Sequence, residues 1–598
     1  MITKMKKILL AGKIEDREKV LTVLRAAETV HVDAAVPEKI KIPEALDSEY
    51  EECGQAISIL SQLSAKSDVD CLATPGTPTR LVEETLSHNK ALSELKNRVN
   101  AVSRELEETK KWGSIGLKDI ETLAASGVKT QFLKGSAKNI GDIEAECACH
   151  ALTIDSADII VAFSRNEIKF PESFTPISAP KREVLLINEE LQSVNKSIAD
   201  NEHALLCIKE RLSELQEHLV KLGNKRRFKE VETGVFCEDK LFVLTGWCPE
   251  DKTQELQKKF DESGVAVGMD FIEPEEGDRP PTKLDNNSYA SSALPLLKLM
   301  GMTPSYNEPD TSFWFISTLI IFASFIVADF GYGLLMALPL IIGYKSFVKK
   351  GVDANLLKLL IFLSTGTAIY GIITNSFFGF EPFKFGFAPG EADMVLWQKL
   401  CLFIGALHLS LAHAMKMMRM PKDIKLVGEA GWFIFLWAMY GLLCSLITGQ
   451  DYVFPLSAEV GGQILYVLMF EISLVMILFF TEPSTNPVKM IMAGLGSIAS
   501  NASGMFSDIL SYIRLWAVGL AGGKVAGAFN DIGNMAADKL GFVGIVIMVV
   551  VFLFGHALNI ILSIISVLAH GVRLNLLEFT NHLGLEWAGR EYDPFKEK

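Results

Sequence analysis

An arginine lies within an apolar stretch near the C-terminal end of the chain. Arg514 occurs in SDILSYIRLWAVGLAGGKVAGAF, where the nearest other charges are Asp508 and Lys524. Placing an arginine at bilayer depth is costly, so such a charge is by default a hypothesis of function. Its chemistry would be the attraction of an anion, because a guanidinium stays protonated. The alternative is a snorkelling or structural arginine that is paired with Asp508.

Small residues surround this arginine on its C-terminal side and leave the region nearly free of bulky side chains. They are Ala517, Gly519, Ala521, Gly522, Gly523, Ala526 and Gly527. Small residues let another helix approach closely. In an ordinary helix bundle they would be packing notches, whereas beside an arginine they suggest a partner helix that slides past.

A stripe of polar residues marks the last apolar segment. Its members recur at spacings of three, four and seven, and they are His556, Asn559, Ser563, Ser566, His570 and Arg573. These spacings place them on one face of a helix. A polar face in an apolar helix lines water or another helix and avoids lipid. Arg573 is equally consistent with a positively charged flank at the cytoplasmic end of the span.

Other polar groups inside apolar runs are His408, Glu429 and Glu471. Glu471 stands near the middle of its run and is the strongest candidate for a proton-path carboxylate. The alternative for Glu471 is a hydrogen bond from helix to helix. Glu429 stands near a cytoplasmic end and is less informative.

Nothing in the chain predicts a cofactor, a metal or ATP chemistry. Cys147, Cys149 and His150 form a C-x-C-H cluster, but no second cluster stands at ligand spacing, so we predict no metal site. The phosphate-binding pattern G-x-x-x-x-G-K-S/T is missing, and AGGKV at 521–525 lacks its first glycine and its hydroxyl. The chain is therefore predicted not to be an enzyme by itself.

The composition of the 598 residues changes sharply near residue 310. Nearly all of the net charge of −14 falls before Thr311, and long apolar runs follow it. An acidic soluble region argues against nucleic acid and anionic lipid as partners, because both require a basic surface. We therefore predict a soluble half with protein partners, followed by a membrane half in the lipid bilayer.

The membrane half is predicted to cross the bilayer eight times. The run at 313–344 is interrupted around Asp329, and lysines follow it, so the positive-inside rule favours a hairpin of two spans. The other predicted spans are 359–379, 396–415, 428–448, 463–481, 490–530 and 541–572. This arrangement puts both termini in the cytoplasm. The last two spans exceed the roughly 20 residues that a bilayer needs, so we expect tilts or breaks, with Gly494, Gly496 and Gly504 as candidates.

The soluble half contains two stretches with apolar residues alternately three and four apart, the pattern of a coiled coil. The first runs Leu92, Leu95, Val99, Val102, Leu106, and the second runs Val184, Ile187, Leu191, Val194, Ile198, Leu205, Ile208, Leu212, Leu215, Leu219, Leu222. Two such stretches in one chain can pair antiparallel and form a strut. The alternative is a coiled coil that dimerises the protein.

The predicted fold class is therefore an α-helical polytopic membrane domain with an N-terminal cytoplasmic α/β domain of two lobes joined by an antiparallel coiled coil. The predicted cytoplasmic domain covers 1–310 and the ion-translocating membrane domain covers 311–598. Within the former, we assign the near lobe to 1–80 and 233–280, the coiled coil to 81–112 and 181–232, and the far lobe to 113–180.

Several motifs, in order along nearly the whole chain, resemble those of the V-type ATPase subunit a, or subunit I, family. They are TGWCPE at 245–250, PPTKLDN at 280–286, PSYNEPD at 304–310, ADFGYG at 328–333, SYIRLWAVGLA at 511–521, HGVRLNLLEF at 570–579 and DPF at 593–595. The resemblance is weakest over 1–240. GHALN at 555–559 is more similar to the bacterial and archaeal branch, which implies a multi-pass protein of a bacterial or archaeal plasma membrane.

This resemblance implies a stator subunit of a rotary ATPase or ATP synthase that couples H⁺ or Na⁺ translocation to ATP hydrolysis or synthesis. Arg514 would face the carboxylates of a rotating proteolipid ring, and Arg573 would be the second arginine, with His570 beside it. The implied partners are the ring, the peripheral stalk subunits and other subunits of the complex. Gly522 and Ser563 depart from the eukaryotic pattern, which has a histidine after the first arginine and an acid before the second.

Two other functions remain open from the sequence. One is a self-contained secondary transporter with a regulatory cytoplasmic domain, although the spans show no obvious internal repeat. The other is a coiled-coil tether or sensor without transport. The tether leaves the intramembrane arginines unexplained.

Overall fold

The structure is a computed structural model. It describes residues 2–33, 41–63, 76–110, 117–134, 150–153, 159–164, 175–178, 182–238, 240–275, 277–381, 394–449, 456 and 462–597. The chain divides into two compact units. We call Met1–Ile8, Gly246–Glu255 and Asp270–Pro594 the membrane unit, and Leu9–Thr245, Leu256–Met269 and Phe595–Lys598 the helix-and-sheet unit. Cys147 and Cys149 of the C-x-C-H cluster lie outside the described residues.

One sheet is built from two similar stretches of sequence, each an apolar strand followed by an amphipathic helix. Strand β1 (Met5–Lys13) precedes helix α1 (Arg17–Ala27), and strand β8 (Leu241–Pro249) precedes helix α7 (Thr253–Ser263). The sheet is completed by β2 (His31–Asp33), β7 (Phe236–Glu238) and β9 (Val267–Ile272). The strand order is β2-β8-β1-β9, with β7 paired to β8.

A second, smaller sheet follows helix α4 (Leu117–Ala125). Its strands are β3 (Lys129–Lys134), β4 (His150–Thr153), β5 (Ile159–Ser164) and β6 (Thr175–Ile177), in the order β4-β5-β3-β6. All described pairings are antiparallel, and Phe132 lies opposite Val161 and Ile177. Strand β5 contains the apolar sequence IIVAF, and its buried Ile159 and Val161 pack with Phe132 in the core of this sheet.

The helix-and-sheet unit also contains four longer helices, α2 (Glu44–Gln62), α3 (Pro78–Lys110), α5 (Val184–Lys209) and α6 (Leu212–Gly234). Helices α3 and α5 lie side by side in opposite directions, because His88 bonds Asn201 while Val102 and Leu106 pack on Ile187. The predicted seam at 184–222 is not one helix, since it is interrupted at 210–211. After this interruption α6 packs on α2, whose residues we had assigned to the near lobe. The coiled coil itself stays a prediction.

Ion pairs join α3 to α5 along their exposed edge. Arg98 Nε donates to Glu190 Oε1 at 2.8 Å, and Arg182 also bonds Glu190. These two guanidinium groups, Arg182 first, hold the pKa of Glu190 below its ordinary value of 4.5. A carboxylate with a lowered pKa stabilises the folded state above its ordinary pKa and loses that contribution as the pH falls through the lowered value.

We therefore expect acid to loosen the α3–α5 pair, and Glu190→Gln to remove part of that pH dependence. Hydrogen exchange of peptides from α5, corrected for the intrinsic effect of pH on exchange, should show less protection in the variant at pH 7. The loss of protection between pH 7 and pH 3.5 should be smaller in the variant than in the wild type. Glu202→Gln is the matched control, because Glu202 meets Lys96 at 3.5 Å in a more exposed pair. Identical acid responses of all three proteins would contradict this prediction.

The membrane unit is a bundle of long apolar helices that follows the short helix α8 (Leu294–Leu299). Its helices are α9 (Ser312–Val327), α10 (Phe330–Lys349), α11 (Ala354–Ile373), α12 (Met394–Arg419), α13 (Lys425–Thr448), α14 (Gln463–Phe480), α15 (Pro487–Ser511), α16 (Ile513–Ser566) and α17 (Thr580–Leu583). Six segments of the described chain are long and apolar enough to cross a membrane, and α9 is a shorter apolar helix. The chain is therefore a membrane protein with a helical membrane unit.

The predicted interruption at Asp329 separates α9 from α10. Ala328 adopts a left-handed backbone (φ 47°), and Asp329 caps α10 through the backbone N–H of Tyr332 at 3.0 Å. The buried Asp329 carboxylate also accepts hydrogen bonds from Ser376 Oγ and from the backbone N–H groups of Phe378 and Gly379. One carboxylate thus joins this helix break to the segment that follows α11.

The final apolar region contains two interruptions, neither at the glycines that we expected. Helix α15 is continuous through Gly494, Gly496 and Gly504, so that prediction is wrong. At Gly494 the glycine instead permits close packing, because a Cβ there would lie 2.5 Å from Leu478 Cα. The helix is interrupted at Tyr512, where α15 ends, and at Gly541, whose backbone (φ 57°, ψ −131°) is not helical.

The chain reverses direction at Gly541. On either side of it, the Asn530 side chain meets His556, and Gly522 O accepts a hydrogen bond from Asn559. Glycines allow the two halves of α16 to approach closely, since a Cβ at Gly544 would lie 2.1 Å from Ala536 O. The two halves therefore form an antiparallel pair. The second half continues into π-helical turns at Val567–Gly571 and Leu574–Phe579.

Candidate functional site

Arg514 lies in the first turn of α16 and is partly exposed. Among the residues that the structure describes, its guanidinium has no hydrogen bond or ion pair. It is close enough to His570 and Glu578 to interact with both electrostatically. A permanently charged group that keeps an accessible face can therefore meet an acid on another molecule.

Asp508 was the candidate internal partner for Arg514, but its carboxylate is bound elsewhere. Asp508 Oδ2 lies 3.1 Å from Nε2 of His582, a residue that sequence reasoning missed. This pairing removes the support for the view that Arg514 is a structural arginine neutralised by Asp508. The only signal in the sequence for His582 was that it follows the HGVRLNLLEF motif closely.

The second predicted arginine, Arg573, lies in the π-helical region with His570. Arg573 is half-exposed, and its Nε lies 3.5 Å from Oε1 of the buried Glu578. His570 is partly buried, and its Nδ1 has no hydrogen-bond partner among the described residues. A π-helical turn inserts an extra residue into the helix, and such turns are frequent at functional sites. Glu578 belonged to a quoted motif, but no spacing argument identified it.

The polar stripe of the last segment divides into two parts. His556 Nδ1 lies 2.8 Å from Tyr332 Oη, and its Nε2 lies 3.1 Å from Asn530 Oδ1. The buried Asn559 donates to Tyr332 Oη and to Gly522 O, both at 3.0 Å. His556 and Asn559 therefore face other helical segments and hold them together by hydrogen bonds. Ser563 is also buried, whereas Ser566 is partly exposed and leads toward His570 and Arg573.

The two carboxylates predicted in the middle helices have different surroundings. Glu471 is exposed on α14 and makes no hydrogen bond to the rest of the described chain. The structure therefore does not bring it together with Arg514. Glu429 is buried, with Oε1 2.7 Å from His413 Nδ1 and Oε2 2.9 Å from Lys416 Nζ.

The small residues after Arg514 lie on two different sides of α16. Gly519 is a packing notch, because a Cβ there would lie 2.4 Å from Phe325 O on α9, and the buried Ala526 contacts Gly379. Ala517 and Ala521 are instead exposed. The packing-notch interpretation therefore holds for one side of α16, whereas a partner helix that slides past the exposed small residues on another side stays a prediction.

A cavity of about 420 Å³ is lined in α16 by residues between Trp516 and Asp531, which follow Arg514. Its walls come from α9, α11, α12 and α16 and from the segment after α11. Its charged and aromatic lining residues include Glu381, Trp397, Trp516, Lys524 and Asp531. We call it the first cavity.

A second cavity of about 520 Å³ is lined in α15 by residues between Ser497 and Asp508, which precede Arg514, and also by Asn581 and His582. Its charged and titratable lining residues are His413, Lys416, Lys425, Glu429, Asp508 and His582. Trp397 in the first cavity and His413 in the second stand on the same helix, α12, and at 1.5 Å per residue they are roughly 24 Å apart along its axis. The two cavities therefore lie toward opposite ends of the membrane unit.

The sequence is similar over its whole length to bacterial proteins of one kind. It is 28% identical over 622 residues to V-type ATP synthase subunit I of Borreliella burgdorferi, with all of both chains covered. It is 27% identical over 644 residues to V-type ATP synthase subunit I 1 of Treponema pallidum, again over all of both chains. These relatives confirm the resemblance that the motifs predicted.

An archaeal relative covers less of the chain. A-type ATP synthase subunit I of Methanocaldococcus jannaschii is 23% identical over 394 residues, which is 60% of this chain and 55% of that one. No family model matches the chain. One crystal structure, of the cytoplasmic N-terminal domain of subunit I, homolog of subunit a, of V-ATPase, aligns over 45% of this chain at 14% identity. Its TM-score of 0.21 is too low to support an argument about the fold.

Proposed function

We propose that this chain is the membrane-embedded stator subunit of a V/A-type rotary ATP synthase, carrying protons or sodium ions past a rotating proteolipid ring. Full-length similarity to V-type ATP synthase subunit I supports membership of such a complex. In this proposal the chain hydrolyses no ATP by itself. Its partners are the ring, the peripheral stalk subunits and other subunits of the complex.

The observation that carries the proposal is the state of Arg514. It is a cation in a membrane helix, partly exposed and unpaired within the described chain, while the nearby Asp508 is bound to His582. An unpaired charge at this depth is costly unless a partner neutralises it. A ring carboxylate that passes the exposed small residues beside Arg514 supplies such a partner.

The mechanism follows from the energetics of the carboxylate. A ring carboxylate crosses lipid only when a bound proton or sodium ion neutralises it, because a bare charge in hydrocarbon is prohibitive. At the stator, the guanidinium favours the ionised carboxylate and so drives release of the ion. Arg514 also blocks direct leakage of ions between the two half-channels, which connect the ring to opposite faces of the membrane.

The two cavities are suited to serve as water-filled half-channels. They lie toward opposite ends of the membrane unit, and α16 lines the first after Arg514 whereas α15 lines the second before it. In this proposal each cavity connects one face of the membrane to ring carboxylates on one side of the arginine. Arg573 and His570 border the ring, Asp508 belongs to one half-channel, and Ser563, Asn559 and His556 hold the helices in place. Glu471, exposed on α14, remains a candidate for a proton entry point.

The wider architecture is proposed as follows. The membrane domain at 311–598 crosses the bilayer eight times, counting α9 and both halves of the region that reverses at Gly541. The domain at 1–310 is cytoplasmic, with two lobes joined by an antiparallel coiled coil, and ties the membrane domain to peripheral stalks against torque. Both termini lie in the cytoplasm, at a bacterial or archaeal plasma membrane.

Cross-linking to the ring tests this proposal. Ile532 lies five helical turns after Arg514 on the same face of α16, and it is 54% exposed. The photo-cross-linking residue p-benzoylphenylalanine at position 532 should yield an adduct with a small two-helix proteolipid in native membranes. The control position is Ile342 of α10, which is 81% exposed. Position 342 should yield no such adduct. The stator assignment fails if position 532 yields no proteolipid adduct, or if the purified chain alone conducts ions, as a secondary transporter would.

A further inference from the structure

The second cavity contains a continuous chain of titratable side chains drawn from four helices. Glu429 Oε1 lies 2.7 Å from His413 Nδ1, His413 Nε2 lies 3.1 Å from His582 Nδ1, and His582 Nε2 lies 3.1 Å from Asp508 Oδ2. Lys416 Nζ lies 2.9 Å from the other Glu429 oxygen. Each contact is within hydrogen-bond distance, so two carboxylates enclose a pair of imidazoles.

This row of hydrogen bonds lacks one proton when both carboxylates are ionised and both histidines are neutral. Three hydrogen bonds link the four groups, and each bond requires one proton. Two neutral histidines supply only two N–H groups, and ionised carboxylates supply none. Both histidines would donate outward to the carboxylates, which would leave His413 Nε2 and His582 Nδ1 as two acceptors facing each other. One further proton satisfies all three bonds.

Charge supports the same count. The cluster contains two carboxylates and the Lys416 cation, so one additional proton makes it neutral. Its carboxylate and imidazole groups are largely buried: Glu429 and His413 are 7% and 4% exposed. An uncompensated buried charge costs considerably more than one that is balanced by opposite charges. The other charged groups near the cluster are Lys425 on the cavity wall and Glu578, which pairs with Arg573.

We infer that His413 and His582, held between Glu429 and Asp508, share one excess proton and relay protons through the second cavity. The proton has four possible places, one on each group. Moving it from Glu429 to Asp508 takes three shifts, each along an existing hydrogen bond, and every intermediate state keeps all three bonds satisfied. A proton taken up at Glu429 from water is matched by one released at Asp508.

The relay role rests on the proposed function, because it assumes that the second cavity is a half-channel and that the ion is a proton. The shared proton does not depend on that assumption. In each of the four states, a proton lies between His413 Nε2 and His582 Nδ1. Without the excess proton, the two neutral histidines direct their N–H groups to the carboxylates, because a charged acceptor forms the stronger hydrogen bond, and no proton lies at that contact.

Nitrogen NMR of the full chain, labelled with ¹⁵N-histidine and reconstituted in lipid, detects that proton directly. We expect a ¹⁵N–¹⁵N coupling across the His413–His582 bond at pH 7, lost in both His413→Gln and His582→Gln. Ser500→Ala is the matched control, since Ser500 lines the same cavity outside the chain of hydrogen bonds. Retention of the coupling in this variant checks that the cavity is folded. Absence of the coupling in the wild type overturns the inference.

Pumping by the assembled complex tests the relay. His582→Gln should slow ATP-driven proton pumping at least about tenfold, because positioned proton-transfer groups contribute about 10²–10⁴ in rate. Wild-type pumping by His582→Gln, with the coupling present in the wild type, overturns the relay role. Normal pumping by the Arg514 variants would instead contradict the proposed function. That outcome would leave the NMR result unchanged, so the two failures can be told apart.

Discussion

Replacing Arg514 with alanine is expected to abolish ATP-driven ion pumping while the complex still assembles. The guanidinium has no partner in the described chain, so its removal disrupts no internal ion pair and should leave the fold intact. What is lost is the permanent charge that favours an ionised ring carboxylate. The measurement is ion uptake by vesicles that contain the complex, together with the amount of assembled complex in the same membranes.

The conservative change Arg514→Lys separates charge from geometry. A lysine keeps a positive charge, but it is a compact ammonium that loses its proton more readily and lacks the planar fork. We expect pumping to be lost in this variant too. Lys539→Ala, which removes an exposed cation from the same helix, is the control and should pump normally. Retained pumping in both Arg514 variants would refute the proposed function.

Replacing Asp329 with alanine is expected to destabilise the membrane unit by at least about 3 kcal/mol, because hydrogen bonds to a charged group contribute about 1.5–3 kcal/mol each. The Asp329 carboxylate is 3% exposed and accepts four hydrogen bonds, three of them from backbone N–H groups. The alanine variant leaves those buried donors without an acceptor. The thermal unfolding midpoint in detergent, followed by a thiol-reactive dye that reports exposure of the buried Cys401 and Cys444, measures the loss.

Ser376→Ala is a milder control for the loss of the carboxylate. It removes one donor and leaves the carboxylate with its three backbone partners, so we expect the stability to fall by only about 1 kcal/mol. Asp329→Asn keeps one carbonyl oxygen as an acceptor and should fall between the two. An Asp329→Ala midpoint equal to that of the wild type would show that the segment after α11 does not depend on this carboxylate.

Local patterns in the sequence were sufficient for several features of this protein. Hydropathy located the apolar helices and the change of composition near residue 310. The charge at Asp329 within an apolar run indicated the break between α9 and α10. An arginine among small residues was enough to single out Arg514. Each of these depends on residues close together in the chain, where periodicity and the cost of burying charge act directly.

Other sequence predictions failed because they treated a local feature as decisive. Glycines at 494, 496 and 504 looked like helix breaks, but a membrane helix tolerates glycine when a neighbouring helix fills the space, as at Gly494. The seam at 184–222 looked continuous, but α5 and α6 pack on different helices.

The sequence by itself determined that this chain has a membrane half, that an arginine lies within an apolar stretch of it, and that its motifs resemble those of V-type ATPase subunit a/I. Only the tertiary structure decided which polar groups meet. The pairing of Asp508 with His582, the contact of His413 with His582, and the attachment of His556 to Tyr332 join distant parts of the chain. No sequence period encodes such contacts, because helix packing sets which faces meet and each buried polar group then requires a partner.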